Sequence, residues 1–145
     1  MTFETQHGET VVVGPSTRLV LVTHDMEAGN MAKAVLAKHT APSLAARGAV
    51  YVADISKMPG VISRLMAIPR MRRRPYPVLL DRDATTARVF PVADRKVTAV
   101  WLEGGRITRL EQLGSQQAIR AALAATGDAK LDAPTPGPSA GDEAP

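Results

Sequence analysis

One histidine and several aspartates follow the apolar runs that the sequence marks as buried strands. His24 and Asp25 come directly after the first run. Asp54 ends the second run, and Asp81 follows the third. Open α/β sheets bind ligands at the carboxyl ends of their parallel strands. Imidazole and carboxylate groups without a thiolate would suit a divalent metal at this edge, held by His24, Asp54 and Asp81.

The same carboxylates also have a structural interpretation, because aspartate side chains accept hydrogen bonds from nearby backbone N–H groups. Asp25 can cap a turn, and Asp54 can cap the loop before the next helix. Asp81 and Asp83 can stabilise the start of a helix. We expect mainly structural roles, a binding role for His24 and Asp25, and no metal or cofactor. The alternative is a small metal- or flavin-associated enzyme that uses the strand-end edge near His24.

A concentration of arginines is the most unusual local feature of the chain. Its members are Arg64, Arg70, Arg72, Arg73 and Arg74. Pro69, Pro75 and Pro77 prevent one continuous helix, so most of these side chains should project from an exposed loop. Guanidinium groups suit carboxylates and phosphates, and several together create a positive field. Arg70, Arg72, Arg73 and Arg74 are therefore candidate binding residues.

Four environments could suit this arginine-rich loop: solvent, an acidic protein or acidic tail, an anionic lipid surface, or nucleic acid. Nucleic acid is the least suitable, because only Tyr76 lies near enough to stack on a base. Another protein with an acidic surface is the expected partner. The oligomeric state is left open by the sequence.

Cysteine is absent from all 145 residues. Thiol–disulfide exchange and peroxide reduction both need a thiolate, so these activities are excluded. A flavin dinucleotide site of the Rossmann type would need a glycine-rich turn after the first buried strand. The sequence has Thr-His-Asp-Met-Glu-Ala-Gly there instead, ending at Gly29. Glycines 104 and 105 belong to a predicted hairpin.

Composition predicts one globular domain with an aliphatic core, since 45% of the residues are hydrophobic and only 3% are aromatic. The net charge of +4 is unevenly distributed. Residues 127–145 hold one lysine against three aspartates and one glutamate, so residues 1–126 are the basic part. No apolar run approaches the ~18 residues of a membrane span. The first residues also lack the basic and apolar regions of a signal peptide.

Runs of strand length alternate with segments of helix length. The predicted strands are residues 10–13, 19–22, 49–53, 77–80, 97–102 and 107–110. Asn30 is expected to cap the first helix and Ser115 the last. A helix beginning at Pro59 should bury Val61, Ile62, Leu65 and Met66 before Pro69 ends it. Helical crossovers predict parallel pairing, and the terminal hairpin adds antiparallel pairing.

Several segments resemble known proteins. The opening Phe3-Glu-Thr-Gln-His-Gly-Glu-Thr-Val is similar to the D-x-x-G-x-x-V lead-in of redoxins, with Thr5 replacing the aspartate. Further similarity lies in Gly48-Ala-Val-Tyr-Val-Ala-Asp-Ile-Ser56, Met66-Ala-Ile-Pro-Arg-Met71, Leu79-Leu-Asp-Arg82 and Lys96-Val-Thr98. Together they resemble a little-studied bacterial family of small thioredoxin-like proteins that lack the redox cysteines. Some of its members are labelled automatically as FAD/FMN-containing dehydrogenases.

This resemblance implies an α/β, thioredoxin-like fold of the redoxin type in residues 1–126. The fold is a three-layer sandwich with a mixed central sheet flanked by helices and a lead-in β-hairpin at the N-terminus. Residues 127–145 are expected to form a disordered, acidic tail rich in Pro, Gly and Ala. The redox positions of the family pattern fall at His24 to Met31, and its proline position falls at Val97.

The family resemblance also implies a periplasmic or envelope setting, with a cytoplasmic one if Met1 is the native start. The function that follows is a non-redox, thioredoxin-like binding or assembly module. Its expected contact is the arginine-rich loop, facing an acidic partner protein. Enzymatic activity is not expected.

Overall fold

A mixed sheet and six α-helices form the described part of the chain. The computed structural model describes the backbone of residues 1–132 and every side chain in that range except those of Ser63, Arg64 and residues 127–132. The strands are β1 (Thr2–Thr5), β2 (Thr10–Val12), β3 (Leu19–Thr23), β4 (Ala49–Asp54), β5 (Leu79–Asp81), β6 (Val97–Glu103) and β7 (Arg106–Leu113). The helices are α1 (Met26–Leu36), α2 (Ala41–Arg47), α3 (Gly60–Ile62), α4 (Ile68–Met71), α5 (Thr85–Val89) and α6 (Gln116–Asp132). A π-helical turn, Ser63–Ala67, joins α3 to α4.

The seven strands form one sheet in the order β2-β1-β5-β4-β3-β6-β7. Strands β3, β4 and β5 are parallel, and the helical crossovers between them follow the sequence prediction. The β1–β2 hairpin adds antiparallel to β5, while β6 and β7 add antiparallel to β3. The carboxyl ends of β3 and β4 therefore meet at one edge, where His24 and Asp54 lie.

Two apolar clusters cover the two faces of the sheet. All five residues of β3 are buried, as expected for a central strand that is covered on both sides. On one face, Leu19 and Leu21 pack against α1, α2 and α6. On the other, Val20 and Val22 pack with Phe3 of the hairpin and with Phe90, which follows α5. Helices thus flank a mixed sheet, with a hairpin at its N-terminal end.

Helix α1 begins five residues earlier than predicted. Asp25, not Asn30, is its N-cap, and the Asp25 carboxylate accepts a hydrogen bond of 2.8 Å from the Ala28 N–H. A carboxylate at this position also faces the positive end of the helix dipole. The early start brings the first turn of α1 directly against the end of β3.

The helical segment after β4 differs most from the sequence prediction. Proline 69 does not end it, because the π-helical turn continues into α4. Val61, Ile62, Leu65 and Met66 were expected to be buried but are exposed, with Leu65 72% accessible. Ile68 supplies the buried contact to the sheet instead. We call Val61, Ile62, Leu65 and Met66 the exposed apolar face.

The C-terminal half matches the sequence prediction in its main elements. Gly104 and Gly105 close the β6–β7 hairpin with positive φ angles of 58° and 82°. Ser115 caps α6, and the buried side of that helix includes Ile119 and Leu123. Helix α6 passes the predicted boundary at residue 126 and ends at Asp132. The rest of the predicted tail, residues 133–145, lies outside the described residues.

Candidate functional site

A pocket of about 400 Å³ opens at the carboxyl ends of β3 and β4. The first turns of α1 form one wall through Met26, Gly29 and Asn30. The other wall is formed by the π-helical turn and α4, where Ala67 and Arg70 face the opening. The pocket therefore lies where the sequence placed the candidate edge near His24. We call it the α1 pocket.

His24 and Asp54 form a nearly enclosed pair at the α1 pocket. The His24 Nδ1 lies 2.8 Å from the Asp54 Oδ2, and both side chains are only 5% exposed. Burial raises the pKa of Asp54, but hydrogen bonds from Ser56 and the contact with His24 outweigh it and leave the pKa below its ordinary value. Because an ionised carboxylate can only accept, His24 Nδ1 is the donor.

The other imidazole nitrogen limits what this pair can do. His24 Nε2 is buried and has no hydrogen-bond partner within the described part of the chain. A carboxylate that orients a histidine is also the arrangement used in general acid–base catalysis. In this protein, however, Nε2 is buried, although His24 is among the residues that line the pocket. The pair fixes the ends of β3 and β4 relative to each other.

Asp25 connects α1 to the loop that precedes β6. Its second carboxylate oxygen accepts a hydrogen bond of 2.8 Å from the Arg95 N–H, in addition to the one from Ala28. Burial raises the pKa of Asp25, but these backbone donors outweigh it, and the pKa lies below its ordinary value. Asp25 thus serves as a cap, which agrees with its structural interpretation, while also lining the α1 pocket.

Buried hydroxyl groups form the floor of the α1 pocket. Thr23 Oγ1 and the Tyr51 hydroxyl are 2.9 Å apart and hydrogen-bonded. Burial raises the pKa of Tyr51 and of Tyr76, and the positive charge of Arg74 opposes the increase in both. The Tyr51 and Tyr76 rings meet edge to face, with centroids 6.4 Å apart. Arg74 is half-buried and lines the same pocket as Tyr51.

The structure separates the four candidate arginines into two groups. Arg70 and Arg74 line the α1 pocket. Arg72 faces away from it and donates from Nε to the Gln6 carbonyl oxygen at 2.9 Å. Arg73 is exposed outside the α1 pocket. The prediction that most of these side chains project from one exposed loop changes in detail, because α4 includes Arg70 and the Arg72 side chain is bound to Gln6.

The metal site considered from the sequence is not assembled. Asp81 pairs in register with Asp54, yet its carboxylate accepts hydrogen bonds from the backbone N–H groups of Thr85 and Thr86 and from the Thr86 hydroxyl. It therefore stabilises the start of α5, as the structural interpretation proposed, while the Asp83 side chain is exposed. Within residues 1–132, the described side chains contain no group of three metal-ligating residues.

The remaining redox-pattern positions belong to the core. Met31 is partly buried against the cluster beneath α1, and Val97 is fully buried at the start of β6. No peptide bond among the described residues is cis. Neither side chain lines the α1 pocket. Of the three positions, only His24 reaches the candidate site.

Sequence reasoning missed several residues of the α1 pocket. Lys57 adds a third cation, and Met58, Met71 and Met26 add apolar surface. Lys57 and Met58 follow Asp54 closely, so their position after a strand end was an available signal. Tyr51 gave no such signal, because its place in the middle of a buried run is typical of core residues.

Comparisons with known proteins agree on the fold. No family model and no curated protein matches the chain. A hypothetical protein from Sinorhizobium meliloti matches at 17% identity and a TM-score of 0.58, over 89% of this chain and 81% of that one. Peroxiredoxin Q from Xanthomonas campestris matches at 13% identity and a TM-score of 0.56, over 90% of this chain and 91% of that one.

A secreted Mycobacterium tuberculosis disulfide oxidoreductase, described as homologous to DsbE of Escherichia coli, matches at 13% identity and a TM-score of 0.52. The match covers 86% of this chain and 95% of that one. At such low identity these similarities show the architecture alone. Together with the mixed seven-stranded sheet, the flanking helices and the N-terminal hairpin, they establish that this cysteine-free chain has a thioredoxin-like fold.

Proposed function

We propose that this protein is a non-redox binding module that holds an acidic segment of another protein in the α1 pocket. The observation that carries the proposal is the lining of this pocket, where Lys57, Arg70 and Arg74 stand around an opening next to apolar surface. In thioredoxin-like enzymes, the redox cysteines begin the helix that corresponds to α1. The pocket thus lies at the substrate-facing position of the fold, and it contains no thiol.

The charges of the pocket favour an anionic group. Asp25 and Asp54 also line it, but Asp25 is bound to two backbone N–H groups and Asp54 to His24. Their charges are therefore largely engaged within the protein. The exposed Arg70 and the half-buried Arg74 remain available for carboxylates, and a guanidinium can bind both oxygens of one carboxylate.

The apolar surroundings favour a protein segment over a small anion. Met26, at the mouth of the pocket, is 78% exposed, and the exposed apolar face continues from the opposite wall. Exposed apolar side chains grouped beside a pocket are typical of protein-interaction sites. The expected partner sequence therefore places carboxylates next to apolar side chains.

A labelled peptide can test the proposed recognition. The probe is a fluorescein-labelled peptide in which glutamates flank a Leu-Met pair, and its binding is followed by fluorescence anisotropy. Arg70→Glu should weaken binding by about tenfold or more, because it removes a charge-assisted contact and adds repulsion. Arg73→Glu is the matched control, since it makes the same change of charge on an exposed residue outside the pocket.

Further comparisons separate specific binding from general attraction. Leu65→Ser should weaken binding more than Ile107→Ser, although both remove an exposed apolar side chain. A peptide with lysines in place of glutamates should bind more weakly than the acidic one. Equal losses for Arg70→Glu and Arg73→Glu, or equal binding of the two peptides, would contradict a site in the α1 pocket.

A further inference from the structure

A second groove lies at the opposite end of the sheet. It encloses about 500 Å³ beside Arg18, which precedes β3, whereas the α1 pocket follows the same strand. Trp101 and Arg109 of the β6–β7 hairpin form one wall. Ala125 and Thr126 of α6 lie on the other side. We call it the Trp101 groove.

Trp101 retains unused binding capacity. One part of its ring packs against the core, and the Arg109 guanidinium lies 4.3 Å from the ring centroid. Among the described residues, nothing accepts a hydrogen bond from its indole N–H. The indole N–H is a donor only, so a carbonyl group entering the groove could bind it. Proteins bind proline-rich chains with exposed aromatic rings that lie beside an available hydrogen-bond donor.

Helix α6 borders this groove shortly before the helix ends. Thr126 lines it, and the helix ends six residues later at Asp132. Prolines occupy positions 134, 136 and 138 of the segment 133–145, which also contains Asp142 and Glu143. Proline fixes φ and restricts the preceding residue, so such a segment favours the polyproline II conformation. Its backbone carbonyls are then free of internal hydrogen bonds.

Charge in the groove is compatible with an acidic segment. Arg18 and Arg109 both line it, together with one carboxylate, that of Glu103. Arg109 contacts Glu111 at 2.5 Å, but both side chains are largely exposed, and exposed pairs of this kind contribute little stability. At ~3.1 Å per residue, the segment after Asp132 spans about 40 Å in the polyproline II conformation, so its carboxylates can reach both arginines.

We propose that residues 133–145 of the same chain bind in the Trp101 groove. The prolines pack on the exposed part of Trp101, a backbone carbonyl accepts from its indole N–H, and Asp142 or Glu143 approaches Arg18 and Arg109. A segment tethered this closely has an effective concentration on the order of 1 mM, so a weak contact would fill the groove for much of the time. This intramolecular contact is independent of the function proposed for the α1 pocket.

Trp101 provides a direct test, because it is the only tryptophan of the chain. In the full-length protein, Pro134→Ser, Pro136→Ser and Pro138→Ser are combined. The combined variant should shift the Trp101 emission to longer wavelength, increase its quenching by acrylamide and move its single indole N–H resonance. A double variant, Thr135→Ala with Ser139→Ala, is the matched control within the same segment and should leave all three signals unchanged.

Further measurements identify the occupant. Adding a synthetic peptide of residues 133–145 to the combined proline variant should restore the parent emission, and Asp142→Lys with Glu143→Lys should weaken that restoration. Circular dichroism should match in all variants, since the described core is untouched. Unchanged emission and an unchanged indole resonance in the proline variant would overturn the proposal. Signals that depend on protein concentration would also overturn it, because a second molecule would then supply the segment.

Discussion

At the scale of single residues, the His24–Asp54 contact connects two neighbouring strand ends. His24 follows β3 and Asp54 ends β4, and the carboxylate also accepts from the Ser56 N–H at 2.9 Å. One acidic side chain therefore holds a histidine and the turn after β4. Because Lys57 and Met58 come directly after that turn, this contact also positions part of the α1 pocket.

Removal of the Asp54 carboxylate should destabilise the protein. Asp54→Ala leaves Nδ1 of a buried imidazole and the Ser56 N–H without their partner, which should lower the free energy of unfolding by about 1–3 kcal/mol. Asp83→Ala removes an exposed carboxylate with no side-chain hydrogen bond in the described structure. This variant should change the free energy of unfolding by less than about 0.5 kcal/mol. Urea unfolding of both variants measures the difference. Equal effects would mean that the paired carboxylate has no special role.

Asp25 should make stability depend on acidity. Its pKa in the folded protein is below the ordinary value of 3.8, so its ionised form contributes stability above that pH. The contribution is lost as the pH falls through the unfolded and then the folded pKa. Asn can keep the cap but does not titrate, so parent and Asp25→Asn should differ most near neutral pH. Urea unfolding at decreasing pH should show this difference shrinking, and a constant difference would contradict the prediction.

At the scale of elements, two glycines of the helices beside the sheet differ in their surroundings. Gly48 ends α2 with φ of 65° and leads directly into β4. A Cβ there would lie 2.9 Å from Arg18 Cγ and 3.1 Å from the Ser16 carbonyl oxygen. Gly29 lies within α1, and a Cβ at that position would meet no atom within 4 Å. The two glycines therefore differ in both backbone strain and available space.

Alanine substitutions at these glycines should have opposite effects. Gly48→Ala should lower the free energy of unfolding by about 1–2 kcal/mol, because alanine is strained in the left-handed region. Gly29→Ala should raise it by roughly 0.5–1 kcal/mol, because alanine loses less backbone entropy in a helix. Thermal and urea unfolding provide the measurement. Stabilisation by Gly48→Ala would show that α2 can end without this conformation.

At the scale of the whole molecule, burial and pairing divide the sheet into a stable centre and a weaker edge. Strand β3 pairs with β4 and β6 and is fully buried. Strand β2 lies at the edge and pairs only with β1. No helix in the described part of the chain is long and apolar enough to cross a membrane. The α1 pocket and the Trp101 groove lie at opposite ends of the stable central strand.

Amide hydrogen exchange should follow this division. Amides of β3 should exchange most slowly, because exposing them requires both neighbouring strands to separate. Amides of β2 should exchange much faster, since the edge can open without disturbing the central strands. Exchange measured by NMR under native conditions compares the two directly. Similar protection in β2 and β3 would mean that the sheet opens only as one unit.

The amino-acid sequence by itself determined the elements and the excluded chemistry. Absence of cysteine removes thiol chemistry whatever the fold, and the β6–β7 hairpin lies where it was predicted. A local signal such as the Gly104-Gly105 turn was sufficient because it acts within a few residues. The hydrogen bonds from the first turns of α5 and α6 to Asp81 and Ser115 also depend only on residues nearby in the chain.

Only the tertiary structure decided which distant groups meet. His24 and Asp54 are 30 residues apart, and Gln6 binds the Arg72 side chain across 66 residues. The exposed apolar face was assigned to the core because helical periodicity groups apolar residues without showing which side meets the sheet. A π-helical turn changed the direction of that face, and Ile68 filled the core position. Long-range packing therefore determined which arginines and apolar residues surround the α1 pocket.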